Sequence, residues 1–177
     1  LEKAELIEQF TEVAIAAGST VECCQKSAAA LNKALVSAIA GYAPVVFAQP
    51  DDLPVALFQE FLHKSQPLTK PDENQLQSAS VGITDAFAGV ARTGSVCVTI
   101  SPRMSSAYSL YARRHIAVID ASTIVARPRD IFVDDSLRAK AIGRSFILVS
   151  GPSATADMGP LVRGVHGPGH LHIVILD

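Results

Sequence analysis

The chain has 177 residues, 49% of them hydrophobic, with 15 Lys and Arg against 17 Asp and Glu and a formal net charge of −2. That length suits one domain with enough chain to bury a core, and the near-neutral balance, pI ≈ 6.2, leaves no electrostatic footprint for nucleic acid. No apolar run approaches the ~18–20 residues needed to span a bilayer, and no charged stretch leading into an apolar one marks a secretory signal.

Residues 4–17 place Ile7, Phe10, Val13, Ala14 and Ala17 on one helical face, with Gly18 as the stop. Residues 20–23 read as a short strand. The alanine-rich run 26–40 carries Leu31, Leu35, Ala38 and Ile39 on one stripe and ends at Gly41, a second helix. Cys23 and Cys24 fall in this region and Cys97 lies further on. Three cysteines without a C-x-x-C read as reduced thiols of a cytoplasmic protein, not as ligands of a cluster or structural zinc. Residues 44–48, short, β-branched and aromatic, predict a buried strand. Asp51, Asp52 and Pro54 then look like a helix start, an acidic N-cap with proline in the first turn, burying Leu57, Phe58, Phe61 and Leu62. Residues 63–73 form a surface connection.

Further on, 87–91 and 95–100 predict two strands around a tight turn at Arg92, Thr93 and Gly94, where glycine supplies a positive φ. A helical stretch over 104–112, a strand over 115–120 and a short helix near 128–133 follow. After the basic stretch 138–144 come two apolar strands, 145–149 and 171–176, separated by a loop rich in glycine and proline. Helix and strand alternate, which predicts an α/β layered fold. With no repeat or linker, residues 1–177 read as one domain, the N-terminal helices of 1–42 packed on the sheet of the remainder.

Four motifs occur in order: "GITDAFAGVARTGSVCV" (82–98), "HIAVIDASTIV" (115–125), "SGPSATAD" (150–157) and "RGVHGPGHLHIVIL" (163–176). Together they resemble the LUD domain, the lactate-utilisation domain. The resemblance implies a three-layer α/β/α domain similar to the glucosamine-phosphate isomerase, ribose-phosphate isomerase and CoA-transferase group. It also implies a part in oxidising L-lactate to pyruvate beside two partner proteins, at least one with iron–sulfur clusters. Carried over by position, Thr93 and Gly94 match the family's turn, and Ser150, Gly151, Pro152, Ser153, Thr155, Ala156 and Asp157 its serine-rich loop. His166, Gly167 and Pro168 match its histidine–glycine–proline step, and His172 its strand histidine. Three positions depart: Arg92 replaces an acidic residue, Ala154 a basic one and Gly159 an acidic one. Losing the cation at 154 weakens the usual grip on a carboxylate or phosphate.

Read from the residues themselves, 147–158 is a strand, a loop and then a short helix over 153–161, whose free amides would favour an anion. Ser153 and Thr155 either cap that helix or touch the ligand. Such a loop should lie beyond the carboxyl ends of the strands, where α/β proteins bind ligands. Thr93, Gly94 and Ser95 either make only a hairpin turn or face the Ser150 loop across one cleft. Asp157 serves as a first-turn acid or as a general base. His166 is a candidate contact or acid–base group, histidine being the side chain that titrates near neutrality, and Gly167 lies beside it. His172 reads as a core histidine bonded to backbone. His166, His170 and His172 lack a metal-site spacing, and no dinucleotide fingerprint, P-loop or nucleophile elbow is present, so no cofactor or metal is expected. The leading expectation is an accessory component binding a small anionic metabolite and iron–sulfur partners. The alternative is a stand-alone isomerase or CoA-transferase-like enzyme, which needs a carboxylate in the cleft; Asp85 and Asp157 are the candidates.

Overall fold

The computed structural model describes residues 2–101, 106–157 and 159–177. Helix α1, Lys3–Ala16, starts where the Glu5 carboxylate accepts the Glu2 amide at 3.1 Å, and it buries Phe10 and Ala14. Strand β1 is Thr20–Cys24. Helix α2, Ala28–Ile39, is capped by Ser27, whose hydroxyl oxygen accepts the Ala30 amide, and its stripe of Leu31, Leu35, Ala38 and Ile39 is buried as the spacing predicts. After β2, Val45–Phe47, a 3-10 turn over Val55–Phe58 runs into α3, Gln59–Ser65. Asp72 caps a short α4, Glu73–Gln77, at the end of the expected connection. Next come β3 (Val81–Ala86), β4 (Ala88–Val90) and β5 (Ser95–Ile100). Of the helix expected over 104–112, α5 occupies Ala107–Leu110, and Met104 lies outside the described residues. Then follow β6 (Arg114–Asp120), β7 (Ile124–Val125), a 3-10 turn over Pro128–Phe132, α6 (Asp135–Ala141) and β8 (Ser145–Val149). The chain closes with β9 (Ala154–Thr155), β10 (Val162–Arg163) and β11 (His170–Leu176).

Five strands form a parallel central sheet in the order β1-β11-β6-β3-β2. Side chains of a strand alternate between faces, and here both faces are apolar. Val81, Ile83, Ile116, Val118, Val174 and Leu176 point toward α2 and α3, where Phe47, Phe58 and Phe61 fill the gap. Ala117, Ile119, Leu171, Ile173 and Ile175 point the other way, toward Phe10 and Ala14 of α1, toward Tyr108, and toward Val96 and Val98 of the second sheet. Each large side chain removed from water contributes about 1.5–3 kcal/mol, so the fully buried Phe10, Phe58 and Phe61 fix which faces turn inward. The second sheet runs β7-β4-β5-β8, and Phe87, Val90 and Cys97 on its other side pack against Ile131, Leu137 and Ala141. No helix among the described residues is long and apolar enough to cross a membrane.

Two expectations fail for physical reasons. Asp51 and Asp52 do not cap α3. The buried Asp52 carboxylate lies 3.0 Å from Arg144 and 3.4 Å from Lys140, and Asp51 accepts the Ser101 hydroxyl at 2.6 Å. Charge-assisted bonds to cations outweigh a cap. Among the described residues of 153–161 the expected short helix does not form. Ala154 and Thr155 instead pair antiparallel with Arg163 and Val162. Ladder bonds at both ends of this reversal, with positive φ at Gly151, Gly159 and Gly164, make a hairpin where local residue preference reads a helix.

Candidate functional site

The loop leaving β8 meets the segment before β11 at Ser153. Its amide donates to the Pro168 carbonyl at 2.8 Å, and its carbonyl accepts the Gly164 amide at 2.9 Å. Between them lies a cavity of about 380 Å³ lined by five of the expected residues, Ser150, Gly151, Ser153, His166 and Gly167. Its remaining walls include Ser109, Ile147, Pro152, Pro168 and Leu171, with His115 alongside. The walls are mostly apolar, and no Lys, Arg, Asp or Glu lines them among the described residues.

The cavity lies at the amino ends of the central strands, beside His115 of β6 and Leu171 of β11, and not beyond their carboxyl ends as expected. The reason is that β8 belongs to the second sheet, antiparallel to β5. Its exit therefore points to the opposite edge from the one a central parallel strand would reach.

The turn after β4 does meet the Ser150 loop. The Ser95 hydroxyl donates to Thr93 Oγ1 at 2.7 Å and shares a 2.6 Å hydrogen bond with the Ser150 hydroxyl. Thr93, Gly94 and Ser95 nevertheless lie outside the cavity lining. Gly94, at φ +59, and Gly151, at φ +74, instead seat the two loops on α1. A Cβ at Gly94 would stand 2.4 Å from the Ala14 nitrogen, and one at Gly151 2.3 Å from the Ala17 carbonyl oxygen. Thr155 is held in the small hairpin and Asp157 is exposed in its turn, both away from the lining. Gly159 occupies φ +141 there, a conformation that disfavours the acidic side chain of the family pattern.

His115 was not singled out by the sequence reading. It is buried on β6 with Nε2 2.9 Å from the Thr84 hydroxyl of β3. Burial pushes its imidazole down to about 4, so it is neutral near pH 7. The signal was available: in "HIAVID" the histidine has the parity of Ala117 and Ile119, the side facing α1. At the carboxyl edge, Asp85 accepts the amides of Asp52 and Leu53 at 2.7 and 2.9 Å. Its Oδ1 has no hydrogen-bond partner among the described residues. Burial pushes this carboxyl up to about 6 against the opposing pull of those amides.

His172 is bonded to a side chain, not to backbone as expected: its Nδ1 lies 2.7 Å from the Thr20 hydroxyl. Its Nε2 stands 3.7 Å from Glu22. His170 is exposed on the same face, nearer the amino edge. Among the described residues no group of three or more His, Cys, Asp and Glu is arranged to hold a metal ion.

A parallel α/β sheet with helices on both faces and a second sheet feeding one loop into a small cavity defines the class. The LUD domain model matches residues 7–176, and the chain belongs to the LUD-domain family. It is 31% identical over 111 residues to lactate utilization protein C of Oceanobacillus iheyensis, covering 59% of this chain and 48% of that protein. To lactate utilization protein C of Bacillus subtilis it is 32% identical over 105 residues, 56% and 44% of the two chains. The match to lactate utilization protein C of Deinococcus radiodurans runs over 181 residues at 26% identity, covering 99% of this chain and 82% of that protein. The chain thus spans about half the length of the first of these relatives. The crystal structure of a duf162 family protein from Deinococcus radiodurans superposes with a TM-score of 0.69 at 20% identity, covering 100% of this chain and 99% of that one, a likeness of fold.

Proposed function

We propose that this chain is an accessory component of L-lactate oxidation to pyruvate in the cytoplasm, working beside iron–sulfur partner proteins. It binds a small anionic metabolite between the Ser150 loop and His166. What supports the reading is that the two family motifs, 150–157 and 163–176, wall one cavity in a chain similar to proteins named lactate utilization protein C. The mixed lining suits a small monocarboxylate such as lactate or pyruvate. Apolar walls from Ile147, Pro168 and Leu171 take a methyl group, while the Ser153 hydroxyl and the His166 imidazole offer donors to the carboxylate. The alternative enzyme needs a carboxylate in the cleft, and neither Asp85 nor Asp157 lines it.

Thermal unfolding with L-lactate, pyruvate and the neutral amide of lactate tests the reading, because a ligand bound only by the folded state raises stability by mass action. A monocarboxylate, but not the amide, is expected to raise Tm. The variant His166→Ala should weaken binding about tenfold or more, the loss of one charge-assisted hydrogen bond of about 1.5–3 kcal/mol. Absence of any shift, or lactate oxidation by this chain alone, overturns the proposal.

A further inference from the structure

The segment 163–170 has a second cavity on its other side, about 420 Å³, at the amino edge of the central sheet. It is lined by cations. Arg113 precedes β6 and Arg114 opens it, His170 opens β11 in register with Arg114, and Arg163 closes β10. Tyr42, after α2, supplies an exposed ring with the Arg114 guanidinium 5.3 Å from its centroid. Gly18 leaves room for Arg163, since a Cβ there would stand 3.1 Å from its Nη2.

Among the described residues, Arg113, Arg114 and Arg163 have no carboxylate within ion-pairing distance, whereas Arg144 is paired with Asp52 and Lys26 with Asp120. Glu22, two strands from Arg114, stands 3.7 Å from His172 instead. Burial holds the His172 imidazole below its ordinary range; the charge of Arg114 adds to this and Glu22 opposes it. Three arginines line this concave edge, and their positive charges repel one another, in a chain whose net charge is −2. A bound anion of two or more charges removes that repulsion. Guanidinium forks match phosphoryl oxygens two at a time, and a single carboxylate leaves most of these donors unused.

We propose that the cavity formed by Arg113, Arg114, Arg163, His170 and Tyr42 binds the phosphoryl group of a small organic phosphate, with its organic part against the Tyr42 ring. This site is separate from the Ser150 cavity and does not depend on the reading given to it.

Calorimetric titration of the full chain with inorganic pyrophosphate, at constant ionic strength, tests the assignment. Arg113 and Arg163 are exposed, so Arg113→Ala and Arg163→Ala are expected to fold, with circular dichroism as the check. Each should weaken pyrophosphate binding tenfold or more, while Arg92→Ala, on a different surface, and His166→Ala leave it unchanged. Retained affinity in both Arg113→Ala and Arg163→Ala overturns the site. Citrate or a polyglutamate peptide binding more tightly than pyrophosphate overturns the phosphoryl class. Loss of lactate binding in His166→Ala with pyrophosphate binding intact separates the fate of this proposal from that of the other cavity.

Discussion

His115 and Asp85 sit on neighbouring strands toward opposite ends of the sheet, and burial drives their proton affinities in opposite directions. His115 is held down to about 4. Its neutral form suits the fold, so its contribution is complete above the ordinary histidine range and is lost as pH falls from about 6.5 toward 4. Asp85 is pushed up to about 6. Its protonated form suits the fold, so its contribution is complete below about 4 and is lost as pH rises toward 6. Each amounts to roughly 3 kcal/mol at most, from about 1.4 kcal/mol per unit of pKa. Between pH 4 and 6 the two slopes oppose each other. Urea unfolding across that range should show His115→Gln losing stability relative to wild type as pH rises. Asp85→Asn should lose it relative to wild type as pH falls. Variants that both track the wild-type profile would show that these groups titrate as in water. Neither residue stood out as a buried titratable group in the chain. His115 is one polar letter in an apolar strand motif, and Asp85, a candidate cleft carboxylate in the sequence, carries no letter beside it that marks its burial in β3.

At the scale of elements, the joint between the two sheets depends on Asp52. Its carboxylate follows β2, yet its partners, Arg144, Lys140 and the Thr99 hydroxyl, belong to β5, α6 and the approach to β8. Removing one partner leaves a buried charge or buried donors unpaired. The two cations are about a third exposed, so solvent screens part of that effect. Asp52→Ala is therefore expected to lower stability by about 1–3 kcal/mol. Arg144→Ala in the same background should add less than it costs alone, because the two share one interaction. Full additivity in a double-mutant cycle would refute the joint. The acidic pair before Pro54 reads locally as a helix cap because capping is a short-range preference. The cations that claim Asp52 lie 88 to 92 positions away. The same limit explains the helix wrongly expected over 153–161, since the partners that make it a hairpin and tie it to Pro168 come after the window in which its letters are read.

For the molecule as a whole, the last strand is structurally central. β11 lies between β1 and β6, so the first strand has no parallel neighbour until the chain's final residues arrive. The Lys26 and Asp177 amides add backbone bonds across this closure, to the carbonyls of Asp177 and Cys24. Deleting residues 170–177 removes Leu171, Ile173 and Ile175 from one core and Val174 and Leu176 from the other. The truncated chain is expected to lose its cooperative thermal transition. Such non-local pairing also makes folding slow relative to a helical bundle of equal size. A sharp transition in the truncated chain would place the stability elsewhere.

Periodicity alone predicts α1, α2, β2, the β4–β5 hairpin, β6, β8 and β11, because the spacing of apolar residues records which face of a local element meets the core. Motif order indicates the family, and the residues of the Ser150 loop and the His166 step do share a wall. Where that wall stands is a different matter. Placing the cavity at the amino edge required knowing that β8 pairs antiparallel with β5 in a second sheet, and gathering Arg113, Arg163 and His170 beside it required the register of β11 on β6. Strand partnership is set by contacts between distant segments, and a residue's letter carries its own burial but not the identity of the strand across from it.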